Sequence, residues 1–432
     1  MAMENERLAI ARLYHRFGFG PRAGEFSAAL NRGFSSVRND FLTPPAIDAG
    51  AAQVAEPKIT DLGPRPAQKT SELIEFNIQL RQQLKDLPLW WLDRMVLSDH
   101  ALTERMTWFW HGHWATAIGK INFAYPMYQQ NALLRKYALG NFGEMSQAML
   151  NDGALQFWLD GGDNTVKAPN ENLARELMEL FVLGVNRYTE TDVRELARAL
   201  TGYQIVRSSG KVTFNTKRFD AGIKTILGSS TNFNGPSAVN LLVSQSDCVK
   251  FIAERIWYRF ISSQLPTVSE IEGSFKDRDI AKLIGAVTDA KYLSNSDYSI
   301  VKAPVEWFVG VARYLNLKPS ELKTSAQLLG YLDKMAQVPF SPPNVGGWPT
   351  DEAWLSSASA QSRIQFAGWL IKQANLAPLT AIPANKRILW LQDELGVVAF
   401  SNRTRVALDG VKSNPAQLLQ LAICSPEYVV SV

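Results

Sequence analysis

The chain has 432 residues, 46% hydrophobic and 20% charged, ordinary globular proportions that supply a large core. Its 45 Lys and Arg against 41 Asp and Glu leave a net charge of +4 with no basic run or acidic tail, so nucleic acid is not the default partner. Two cysteines, Cys248 and Cys424, with neither CxxC nor zinc-ribbon spacing, allow one disulfide but exclude a disulfide scaffold.

In chain order, MAMENERLAIARLYHRFGFG lacks the uninterrupted apolar stretch of a signal peptide, and no 18-residue apolar run follows, so a soluble chain of unspecified compartment is expected. Residues 5–14 have helical spacing, which RFGFGP (Arg16 to Pro21) breaks. Short helices are predicted near 24–32 and 35–42, then a Pro/Ala-rich loop over 44–68. A helix is predicted over 71–86, with Pro88 placed to open the next one, which carries Trp91, Met95 and Val96. In LTERMTWFWHGHWATA, Leu102, Met106, Phe109 and His113 recur at core-face spacing. Helices over 125–139 and 142–150 precede a polar loop, FWLDGGDNTVKAPNEN.

The stretch from Pro169 to Tyr203 organises the rest. It reads as two amphipathic helices, the first capped by Asn170 and stopped at Gly184, the second opened by Asp192 with Glu195 three residues on. Asn172, Glu176 and Glu179 fall at i, i+4, i+7 on one face, with Glu171 in the first turn. These carboxylates either form a solvated face paired with Arg175, Arg194 and Arg198, or serve as general acid and base. Past Tyr203, YQIVRSSGKVTFNT alternates like a small β-hairpin, and the irregular excursion extends over 203–236. Further helices follow, interrupted by a Pro/Gly-rich loop over 339–356. With no repeat of 20–50 residues, the chain reads as one mainly α domain over 1–432, an irregular multi-helix body with a β-hairpin excursion near 203–227.

Four places could carry chemistry. His111 and His113 diverge by about 200° on a helix, so they could share a metal only if the helix ended at Gly112. Imidazoles suit zinc, manganese, iron or copper; the plainer alternative is two core histidines among tryptophans. Glu176 could complete such a site or, with Glu179, do acid–base work. Asp160, Asp163 and Asn164, near Asn170 and Asn172, offer oxygen ligands for calcium or magnesium, or ordinary turn chemistry. Trp348 and Trp354 in the GGWP loop could form a binding platform or anchor the loop. Dinucleotide, P-loop, nucleophile-elbow and zincin motifs are absent.

RFGFGP, FWHGHWATA, PNENLARELMELFVLG, YTETDVRELARALTGY, DAGIKTILG, NVGGWP and CSPEYV occur in the order seen in the bacterial family catalogued as "domain of unknown function 1800", which the chain resembles from about Leu13 to Val429. The resemblance brings no established activity; many members look exported. It carries the family's His-x-His onto His111 and His113. Its NEN–ARE–EL signature falls on Asn170, Glu171, Asn172, Arg175, Glu176 and Glu179, and its DV position on Asp192. Asp220 and Lys224 lie in its His-Asp/Gly-x-Lys stretch. Phe181 and Phe219 stand where members commonly have histidine, which implies a divergent centre. Two functions therefore stand: an enzyme with a His/Glu polar centre, metal-assisted hydrolysis being its most economical chemistry, or a non-catalytic accessory protein that binds a partner.

Overall fold

A computed structural model describes residues 2–68, 70–264 and 269–431. It is mainly α, with small two-stranded hairpins. The first helix, Ala2–Phe17, buries Ile10, Leu13, Tyr14 and Phe17 on one stripe. Its arginines fasten distant segments: Arg12 donates to the carbonyl of Leu293, and Arg16 to those of Ile261 and Ser431. Val430–Ser431 pairs antiparallel with Ile300–Val301, so both ends of the chain lock onto the same region.

Apolar side chains form two clusters. One gathers Phe17, Trp110, Trp114, Met178, Phe181 and Ile252. The other gathers Trp91, Trp108, Trp307, Phe308, Phe366 and Leu419. The helix Ala101–His113 is the wall between them: Met106, Phe109 and Trp110 face the first and Trp108 the second, so it is buried nearly all round.

Several boundaries differ from the sequence expectation. Pro88 does not open a helix; it lies inside a single helix, Ser71–Leu97. The missing amide costs one backbone hydrogen bond, but burial of Leu87, Trp91, Leu92 and Met95 across the proline holds the axis together. A short helix, Gly153–Trp158, runs into the start of the polar loop before the signature, and a 3-10 turn, Gly161–Asp163, lies inside it. The first predicted hairpin is present, Tyr203–Val206 against Lys211–Phe214, and a second, Lys224–Ile226 against Ser229–Thr231, follows. A two-stranded ribbon needs outside support. Here the backbone amides of Thr225 and Leu227 donate to Glu195 and Asp192 on the helix Glu190–Ala199. Among the described residues no helix is long and apolar enough to cross a membrane.

Candidate functional site

The signature helix begins as α, Asn172–Glu176, and continues as a π-helix, Leu177–Val182. Asn170 is not its cap. Its Oδ1 instead accepts from the amide of Asn172, and its own amide donates to Asn164 Oδ1. Gly184 does end the segment, at φ 93°, and Met178 O accepts from both Leu183 and Gly184. The wide π turn leaves Phe181 O near the end without a helical donor, and His113 Nε2 reaches it at 2.8 Å. A carbonyl only accepts, so Nε2 carries the proton. The second helix is capped by Thr189, not Asp192; Asp192 is the reciprocal member of the capping box, and its other oxygen receives Leu227.

The helix carrying the two histidines runs through Gly112 to His113, so the geometry for a shared metal is not met. His111 lies in the second core against Trp91, Trp108, Phe340 and Trp348, with no hydrogen-bond partner at either nitrogen among the described residues. His113 lies in the first core against Trp110, Trp114 and Phe181. Burial pushes His111 down to about 3, and burial with the charge of Arg255 does the same to His113. Both are neutral at ordinary pH. Among the described residues no three His, Cys, Asp or Glu side chains are placed to hold a metal ion.

The carboxylates divide likewise. Glu171 pairs with Arg175 at 3.0 Å, and Arg175 also holds Glu190 at 2.8 Å. Glu179 accepts from the Tyr188 hydroxyl at 2.8 Å. Glu176, half-buried, makes no hydrogen bond among the described residues; burial and then Glu179 raise its pKa. Asp160 meets Lys120 at 2.7 Å and Asn172 at 3.0 Å, while Asn164 is committed to Asn170 and to the carbonyl of Ala197. That loop uses its oxygens as turn and ion-pair chemistry rather than turning them to one point. Asp220 is held by Arg198 at 2.8 Å, and Lys224 sits over the Phe219 ring at 4.7 Å. Phe181 packs on Trp114 at 4.7 Å, well inside the first core. Phe181 and Phe219 therefore lie in different environments.

The GGWP loop is where open space meets this machinery. Trp348 stacks on Trp108 at 4.7 Å and 24°. A Cβ on Gly347, where φ is 82°, would fall 2.2 Å from Gly112 O, so only glycine lets the loop close on the histidine-bearing helix. Beside them remains a cleft of about 120 Å³, lined by Trp108, Gly112, His113, Arg255, Arg259, Gln337 and Trp348 among others. Sequence reading missed Arg255, Arg259 and Gln337. Their signal was there for the arginines: on the helix Ser246–Phe260 they stand at i, i+4, with no acid at helical spacing from either on the cleft side.

The family described as "Protein of unknown function (DUF1800)" matches residues 12–430, nearly the whole chain, and the chain belongs to it. No curated protein and no solved structure matches it.

Proposed function

We propose that this family member works by binding a ligand in the cleft beneath Trp348, and not by metal-assisted hydrolysis at His111, His113 and Glu176. One observation carries the reading: the helix does not end at Gly112, so the two imidazoles face different cores, whereas the half-open cleft beside His113 combines polar and apolar walls and has room for a small molecule. Thermal-shift titration with phosphate, acetate, glucose and glycinamide tests it. A ligand present at a hundred times its Kd stabilises the folded state by about 2.7 kcal/mol. At least one compound is expected to raise the melting temperature of the parent and to lose that effect in Trp348→Ala. If no compound shows a Trp348-dependent shift, the reading is wrong.

A second reading, an enzyme with Glu176 and Glu179 as acid and base, is favoured by the raised pKa of Glu176 and its lack of a hydrogen-bond partner. Metal content separates the readings where metal is concerned. Elemental mass spectrometry of the purified protein is expected to find no stoichiometric zinc, manganese, iron or calcium. Stoichiometric metal that disappears in a His111→Ala/His113→Ala double variant would overturn the binding reading in favour of a metalloenzyme.

A further inference from the structure

Three features of the cleft limit what it can hold. The first is charge. No Asp or Glu lines it, while Arg255 and Arg259 do. Arg259 is tied to Glu306, and that same carboxylate oxygen also faces Arg105 at 2.9 Å. One carboxylate thus serves two guanidinium groups, and Arg255 has neither hydrogen bond nor ion pair among the described residues; the Phe251 ring lies 5.9 Å away.

The second feature is the sign of the unused hydrogen-bonding groups. Gln337 Oε1 accepts from the amide of Val305 at 2.8 Å, which fixes the side chain and leaves its Nε2 buried without an acceptor among the described residues. Trp348 Nε1 is also buried without one. Guanidinium and indole N–H groups only donate, so these three residues all require an acceptor. His113 adds one group of the opposite kind. With Nε2 donating to Phe181, its Nδ1 is a bare acceptor, buried and without a partner among the described residues.

The third feature is size. At roughly 30 Å³ per water, the cleft has room for about four water-sized groups. Its Trp108–Trp348 wall lowers the local dielectric and so strengthens any charge pairing inside.

We propose that the cleft binds a phosphoryl group, clamped by Arg255 with Trp348 and Gln337 as further donors, and with the acid proton of the phosphate satisfying His113. The proposal rests on the ligand-binding reading above and names the ligand class for the same site. A bidentate guanidinium matches two phosphate oxygens. A singly protonated phosphate has both the acceptors and the one donor that the wall requires. Sulfate has the same shape without that proton, and acetate has only two oxygens. The phosphate is either free or the head of a monoester.

The test is thermal shift and calorimetry at about pH 6, where a phosphate monoester retains a proton in much of the population, at constant ionic strength. Inorganic phosphate is expected to bind the parent at least tenfold more tightly than sulfate or acetate. Arg255→Met should lose at least tenfold in phosphate affinity, and should melt higher than the parent when ligand-free, because it removes a half-buried charge with no ion-pair partner among the described residues. Trp348→Phe, which keeps the ring and loses the N–H, should lose several-fold. Phenyl phosphate binding as tightly as phosphate supports a monoester ligand; phosphate alone supports the free ion. Equal affinity for sulfate and phosphate, or phosphate binding undiminished in Arg255→Met, would overturn the proposal. If glucose or glycinamide binds in a Trp348-dependent way and no anion does, the phosphoryl assignment falls while the ligand-binding reading stands. If nothing binds, both fall.

Discussion

Glu104→Ala is expected to destabilise the protein by about 3–5 kcal/mol, the loss typical of stripping one partner from a buried ion-pair network. Glu104 lies in the first turn of the helix that separates the two cores and is 1% exposed. One oxygen accepts from Arg135 Nε at 2.6 Å and Arg94 Nε at 3.1 Å; the other accepts from Trp91 Nε1 and Arg135 Nη2, both at 3.0 Å. Alanine would leave two largely buried guanidinium groups and an indole N–H with nothing to donate to. Glu104→Gln keeps an acceptor but removes the charge, so its expected loss is smaller, about 1.5–3 kcal/mol. Urea unfolding checks both: the midpoint should fall while the slope stays the same.

The pH dependence has a definite sign. Burial alone would raise the Glu104 pKa, but the charges and hydrogen bonds of Arg135 and Arg94 outweigh it and hold the carboxyl below its ordinary value. A folded-state pKa below the unfolded one means that the unfolded chain binds more protons in between. The stabilisation is therefore fully present above the unfolded carboxylate pKa and is lost as pH falls through the folded one. The stability gap between parent and Glu104→Ala should narrow as the solution is acidified through that range. A gap that stays constant into strong acid would show that Glu104 acts through packing and not through charge.

What the sequence could show follows from which interactions are local. Helical periodicity is local, and the helix Phe142–Leu150 begins and ends where the pattern places it. The first hairpin was readable from its alternation and Ser-Ser-Gly turn. The geometric rule for His111 and His113 was also in hand, since an i, i+2 pair on a helix cannot converge. What the sequence left open was whether Gly112 ends the helix, and packing of Trp108 and Trp110 on opposite cores carries it through to His113. Continuity through Pro88 is again a tertiary result, set by burial on both sides of the proline. The π segment Leu177–Val182 has no sequence signature of its own, and the carbonyl that it leaves near its end finds its donor 68 positions away in His113. The cleft was harder still to see. Its walls come from three separate parts of the chain, 108–113, 255–259 and 337–350, and although the sequence shows no acid at helical spacing from Arg255, only the assembled structure shows that none reaches it from elsewhere among the described residues.

Glu306 joins that cleft to the stability of the fold, and removing it is expected to move the two in opposite directions. Glu306 is 3% exposed at the start of the helix Pro304–Leu315. One of its oxygens takes Arg259 and faces Arg105 at 2.9 Å, and the other accepts from the amide of Ala303 at 3.2 Å. Glu306→Ala should cost about 3–5 kcal/mol, because Arg105, itself only 2% exposed, loses the one counter-charge it has among the described residues. Glu306→Gln should cost less and remain folded, which makes it the more informative variant. In it Arg259 is released from its carboxylate beside Arg255, and the cleft gains a second unneutralised guanidinium. Glu306→Gln is therefore expected to melt lower than the parent without ligand, yet to show a larger rise in melting temperature on adding phosphate. A purely structural carboxylate would lower the melting temperature and leave the phosphate response where it was. The two-sided shift is the behaviour of a protein that holds positive charge in reserve for a ligand, with Glu306 setting how much of it is free.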